Sequence, residues 1–269
     1  MQQRIITAIF FVALMLAGLL SGPYGFVVLL LVIAGVSLWE LAGLVAPGLT
    51  YMRQWVTILP GIVLVGFGLY AGHRHLWSDV PGGSAWLALL WYVLLWKEMF
   101  RPRSGRRSAT AVAWFGLWYV GLPYALLARL AWWRGSYDGL FVLGLLVLMW
   151  LNDTGAYFTG KFWGRHKLAP HISPKKTWEG LVGGVVAALL VSLVVARLVP
   201  AYSPATWMVL GGITALGILG DLFESQLKRR AGVKDSGRLM PGHGGVLDRF
   251  DAFMFVLPLI YLYFSIFGA

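Results

Sequence analysis

The sequence predicts an all-α, polytopic integral membrane protein. Three observations carry this. The chain has 269 residues, 59% hydrophobic and only 12% charged, whereas soluble domains carry about 25% charged residues. Its mean hydropathy is +0.74. Apolar runs long enough to cross a bilayer as helices recur along it. A membrane β-barrel would show short alternating segments, and the sequence has none. We read one membrane domain over 1–269: an N-terminal helical half (1–150), a half carrying the polar motifs (151–252), and a last helix (252–269).

Nine apolar runs are predicted to span, near residues 5–21, 25–46, 55–71, 84–97, 109–131, 139–158, 179–199, 206–223 and 252–267. The first follows Met1-Gln-Gln-Arg4 and imitates a secretory signal; we read it as an uncleaved span. The fourth is short. Pro60 and Pro123 predict kinks in the third and fifth. The sixth carries Asn152 and Asp153 after an unbroken apolar stretch. Ser173 is predicted to cap the seventh, with Pro174 at its first helical position. The eighth ends on Asp221, and the ninth is preceded by Asp248 and Asp251.

The net charge is +11. In a membrane protein this points to loop topology and anionic headgroups rather than nucleic acid. Loop 98–108 holds Arg101, Arg103, Arg106 and Arg107; loop 159–178 holds Lys161, Arg165, Lys167, Lys175 and Lys176; loop 224–251 holds Lys228, Arg229, Arg230, Lys234 and Arg238. With nine spans these loops share one side, and the positive-inside rule makes that side, with the N-terminus, cytoplasmic. Arg134, in the loop near Trp132–Asp138, is a small dissent on the other side. Cysteine is absent, which excludes disulfides, thiol nucleophiles and thiolate metal sites.

The carboxylates beside apolar runs are the candidates for chemistry, because an unpaired charge there is expensive. Asp221, Ser225 and Lys228, at i, i+4 and i+7, share one helical face, with Glu224 beside them. Asp248 and Asp251 share another. Two acidic helix ends facing one pocket suit Mg²⁺, which takes one or two carboxylates and completes its shell with water and phosphate oxygens. Glu179 and Glu224 are explained as well by pairing with nearby cations. Pro241-Gly-His-Gly-Gly245 reads as a turn, in which His243 is a phosphate donor, an acid–base group or a loop-stabilising hydrogen bonder. Lys175, Lys176 and Thr177 precede a predicted helix N-terminus, a natural phosphate site, though a plain cap with positive-inside lysines would look the same. Asp153, Tyr157 and Lys161 share a face; Asp153 has the choice of a metal, a ribose hydroxyl, a base or a cation partner. The sequence has no phosphate-binding Gly-x-x-x-x-Gly-Lys-Ser/Thr loop.

The pattern Ser225, Leu227-Lys228-Arg229, Lys234-Asp235, His243-Gly244-Gly245, Asp248-Arg249, Asp251, with Ser173-Pro-Lys-Lys-Thr-Trp178 and Asp153 upstream, resembles the signature of the phosphatidate cytidylyltransferase family. The resemblance covers roughly residues 150–252. It implies a nine-span enzyme of the cell (cytoplasmic) membrane. That enzyme condenses CTP with phosphatidic acid to CDP-diacylglycerol and pyrophosphate, and its site faces the cytoplasm. It implies Mg²⁺ on Asp221 and Asp248, with room for a monovalent cation such as K⁺, and it allows a homodimer. It implies catalytic roles among Lys228, Arg229, Lys234, Asp235, His243, Arg249 and Asp251. Substrate binding falls to Asp153, Ser173, Lys175, Lys176, Thr177 and Ser225. A CTP-using polyprenol or phytol kinase is the alternative enzyme. An ion or lipid-phosphate transporter is the alternative without chemistry, disfavoured because the charge lies on one side.

Overall fold

The computed structural model describes residues 2–48, 50–74, 85–99, 108–242 and 244–268. His243 and the loop arginines Arg101, Arg103, Arg106 and Arg107 lie outside the described residues.

The described chain is a helix bundle. Its helices are α1 (Gln2–Leu20), α2 (Pro23–Val45), α3 (Tyr51–His73), α4 (Ala85–Met99), α5 (Ala109–Gly116), α6 (Leu122–Leu130), α7 (Gly139–Phe162), α8 (Trp178–Leu198), α9 (Pro204–Thr214), α10 (Gly217–Arg230) and α11 (Leu247–Phe267). Local chemistry sets many of the ends. Ser108, Asp138 and Ser203 are N-caps, accepting from the amides of Ala111, Phe141 and Thr206. Pro23 and Pro204 sit in first turns, where a missing N–H costs nothing.

Each of the nine predicted runs falls on helix, but three features differ from expectation. Length and composition support seven crossings among the described residues. α1 is apolar over the shorter stretch Ile6–Leu20, and α4 has 15 residues. The kink predicted at Pro123 takes the form of a π-helical turn, Leu117–Gly121, between α5 and α6. Proline has no N–H and crowds the carbonyl four residues back, so the preceding turn widens; the Leu122 amide reaches Leu117 O, five residues back. The eighth run is also two helices, α9 and α10, broken at Ala215 and Leu216.

α6 is buried along its whole length, and α11 packs against α2, α4, α6, α9 and α10, so these two form the middle of the bundle. Large apolar side chains stay exposed on the perimeter, as on α8, where Leu190 is 62% and Leu198 72% exposed. A bilayer covers such surface. α7 and α8 approach closely because a Cβ at Gly155, Gly183 or Gly184 would strike the opposite helix. Hydrogen bonds identify the two ends of the bundle. At one, Thr7 Oγ1 donates to Pro241 O (3.3 Å) and Arg230 to Glu98 O (3.0 Å). At the other, Tyr137 donates to Leu19 O (2.8 Å) and Arg134 to Ala201 O (2.6 Å). The guanidinium of Arg134 also lies over the ring of Tyr202, 5.5 Å from its centroid.

Candidate functional site

The polar motifs converge at the first of these ends, around a cavity of about 1000 Å³. α7 lines it with Asn152, Asp153, Tyr157 and Lys161. α10 adds Asp221 and Lys228, the following loop Asp235, and the start of α11 Asp248, Arg249 and Asp251. Lys167, Lys175, Lys176 and Thr177 come from a two-stranded antiparallel hairpin, β1 (Lys167–Ala169) and β2 (Ser173–Thr177). The flank is apolar: Ala8, Phe11 and Val12 of α1 and Trp150 of α7.

The hairpin corrects one expectation. Ser173 does not cap a helix; it pairs with Ala169, and Thr177 pairs with Lys167. Two residues of β1 match four of β2, so the ladder carries an irregularity. Pro174 is tolerated because a two-stranded hairpin leaves one side of each strand without a ladder. The cap is Thr177, whose Oγ1 accepts from the Gly180 amide at 3.1 Å. The helix N-terminus thus starts four residues beyond the predicted Ser-Pro start, with Lys176 immediately before its cap. Glu179 is absorbed structurally: it accepts from the Arg165 and His166 amides and meets His166 Nδ1 at 2.6 Å.

The predicted face of α10 exists. Ser225 Oγ donates to Asp221 Oδ1 at 3.5 Å, and Asp221 Oδ2 pairs with Lys176 Nζ at 2.5 Å. Lys176 also donates to Ile218 O at 3.2 Å, which ties β2 to α10 just past the α9–α10 break. One turn on, Lys228 Nζ bridges Glu224 Oε2 (3.1 Å) and Asp248 Oδ1 (2.5 Å). The second oxygen of Asp248 accepts from the amides of Ser236 (2.9 Å) and Gly245 (2.8 Å). Glu224 is fully buried and Asp251 nearly so, on facing helices. Glu224 is paired by Lys228, and Asp251 Oδ1 accepts from the Ala252 amide at 2.7 Å.

The other predicted site residues divide. Asp153, Asp235, Arg249, Asp251 and Lys175 line the cavity as expected. Ser225 acts behind Asp221 rather than on the lining. Arg229 and Lys234 are not among the lining residues: Arg229 is exposed and donates to Val233 O at 3.3 Å, closing the end of α10, and Lys234 is exposed. The reason is helical phase, since Arg229 follows Lys228 by one residue and turns about 100° away. Two contributors escaped the motif reading. Lys167 lines the cavity from β1. Glu40, near the C-terminal end of α2, accepts from the Val246 and Leu247 amides. A lone acid in an apolar run was the available signal for Glu40.

The donor set suits a divalent cation completed by substrate. Among the described residues no three acidic or histidine side chains converge into a ready-made metal cage. Asp221 and Asp248 do line one cavity, and Mg²⁺ needs only one or two carboxylates when phosphate oxygens and water fill the rest. Each of the two carboxylates is paired with a lysine, Asp221 with Lys176 and Asp248 with Lys228.

The model of the cytidylyltransferase family matches residues 2–267 of the chain. The chain is 36% identical to the phosphatidate cytidylyltransferase of Staphylococcus aureus (strain COL) over 267 residues, 97% of each chain. It is likewise 36% identical to that of Staphylococcus saprophyticus over 264 residues, again 97% of each. Over 176 residues, 64% of each chain, it is 44% identical to the phosphatidate cytidylyltransferase of Staphylococcus haemolyticus.

Proposed function

The chain belongs to the cytidylyltransferase family, and from that premise we propose how its pocket works. Its reaction is the condensation of CTP with phosphatidate to CDP-diacylglycerol and pyrophosphate, carried out by a multi-pass membrane protein in phospholipid biosynthesis. One observation carries the mechanism: a single cavity joins paired carboxylates and lysines to an apolar flank on α1 and α7. A lipid phosphate meets a nucleotide triphosphate in such a cavity while its acyl chains stay in hydrocarbon.

The phosphomonoester of phosphatidate is largely dianionic near neutral pH, so no protein base has to remove a proton. One of its oxygens attacks the α-phosphorus of CTP. The new P–O bond forms as the bond to the β-phosphate oxygen breaks, and pyrophosphate leaves with the electron pair. The protein's work is positioning and charge neutralisation. In our reading Asp221 and Asp248 hold Mg²⁺, which when bound supplies positive charge to the triphosphate. Lys176, which pairs with Asp221, would bind the CTP phosphates, with Lys175 and Thr177 beside it. Lys228 and Arg249 steady the lipid phosphate and the departing pyrophosphate. Asp153 faces the nucleotide from α7, and Asp235 and Asp251 offset the charge of the cationic residues around them.

The cationic end of the bundle supports a cytoplasmic pocket and N-terminus in the cytoplasmic membrane. The test uses detergent-purified protein, phosphatidate, Mg²⁺ and CTP labelled at the α-phosphate. Label in a lipid product with equimolar pyrophosphate is the expected result. Release of labelled CDP with phosphorylation of a lipid alcohol would replace this reading with a lipid kinase.

A further inference from the structure

α11 begins without a cap of its own. Its N-cap is Val246, which has no side chain able to accept a hydrogen bond, although the first amides of any helix need acceptors. The acceptor comes from α2. Glu40, 7% exposed, takes the Val246 amide on Oε1 (3.1 Å) and the Leu247 amide on Oε2 (2.8 Å). Its Oε2 also accepts from Ser236 Oγ at 3.3 Å. Ser236 at the same time donates its backbone N–H to Asp248 Oδ2, which also accepts from the Gly245 amide. Gly237 and Gly245 leave room for the Glu40 carboxylate, since a Cβ at either would strike it.

We infer that Glu40 is a positioning residue for the reaction: a buried carboxylate from the N-terminal half that fixes segment 236–248 and so sets the place of Asp248. It is not among the residues that line the cavity. This rests on the proposed role of Asp248. Glu40 and Asp248 grip the same segment from opposite sides, through Ser236 and through consecutive amides at 245, 246 and 247. Loss of Glu40 leaves two helix-start amides without acceptors and lets Asp248 drift.

The test compares Glu40→Gln, Glu40→Ala and Ser236→Ala with the parent and with Asp248→Asn. Turnover is normalised to folded protein, and amide hydrogen exchange is read by segment. A displacement near 1 Å at a reacting centre lowers rate by about 10²-fold. Both Glu40 variants should therefore lose about 10- to 100-fold in kcat, with KM for CTP and phosphatidate within about threefold. Exchange should quicken over 236–248 and nowhere else. Ser236→Ala, which removes one contact and no helix amide's acceptor, should lose about 2- to 5-fold and show the same localised exchange; it carries the test if the Glu40 variants do not fold. Unchanged kcat per folded molecule in these variants, beside an inactive Asp248→Asn, would overturn the inference alone. Full activity in Asp248→Asn would overturn the reading of the pocket instead.

Discussion

Asp221→Asn separates the pocket's chemistry from its architecture. The Asp221 side chain is 41% exposed and pairs with Lys176 at 2.5 Å. A pair this open to solvent is worth about 0.2–1 kcal/mol, and asparagine keeps an acceptor for Ser225. In a chain of this size 1 kcal/mol moves a melting temperature by about 2–4 °C, so the variant should melt within about 4 °C of the parent. Turnover should behave differently. Losing one preorganised electrostatic partner of the transition state typically costs about 10²–10³ in kcat, or about 2.7–4 kcal/mol. The assay is pyrophosphate release at saturating CTP and phosphatidate, beside a detergent melting curve on the same preparation. Asp248→Asn is the contrast. Its side chain is 5% exposed and bonded to Lys228 and two amides, so it should lose both turnover and several degrees of melting temperature. Turnover within threefold of the parent in Asp221→Asn would refute the metal role given to that carboxylate.

Three further outcomes follow from the same geometry. Lys228→Met strips the cation from Glu224 and Asp248 together, and breaking a buried pair this way should destabilise by about 3–5 kcal/mol in a melting or denaturant assay. Thr177→Ala removes the α8 cap and should cost about 1 kcal/mol, while Thr177→Ser should restore most of it. Gly220→Ala should lower both melting temperature and turnover despite alanine's better helix propensity, because its Cβ would sit 2.6 Å from Asp251 O and force α10 from α11.

The sequence made the bundle and half of the pocket legible for a physical reason: the features involved are local. Apolar run length locates the helices, and the spacing of Asp221, Ser225 and Lys228 defines a face wherever the helix persists. Features that depend on distant partners were not legible. Ser173-Pro174 satisfies the rules for a helix start equally well as an edge strand, and only pairing with Lys167–Ala169 decides between them. Arg229 and Lys234 share a motif with Lys228, but motif membership does not give helical phase or loop direction. The carboxylate of Glu40 was visible as an anomaly in an apolar run, yet its donors lie at the far end of the chain. The break at Ala215 and Leu216 falls inside a stretch that is, as a whole, long and apolar enough to cross a membrane.

The bond from Val246 to Glu40 spans 206 residues of sequence, and this gives assembly a timetable. Ribosomes add about 5–20 residues per second, so the second helix enters the bilayer roughly 10–40 s before the amides that will satisfy its carboxylate are made. During that interval a bare anion in hydrocarbon is untenable. The nascent chain therefore has to hold the acid protonated or keep that end of the helix near the headgroups. The last helix to be synthesised then locks the second into register, and a chain truncated before residue 246 leaves the early helices inserted but unlatched.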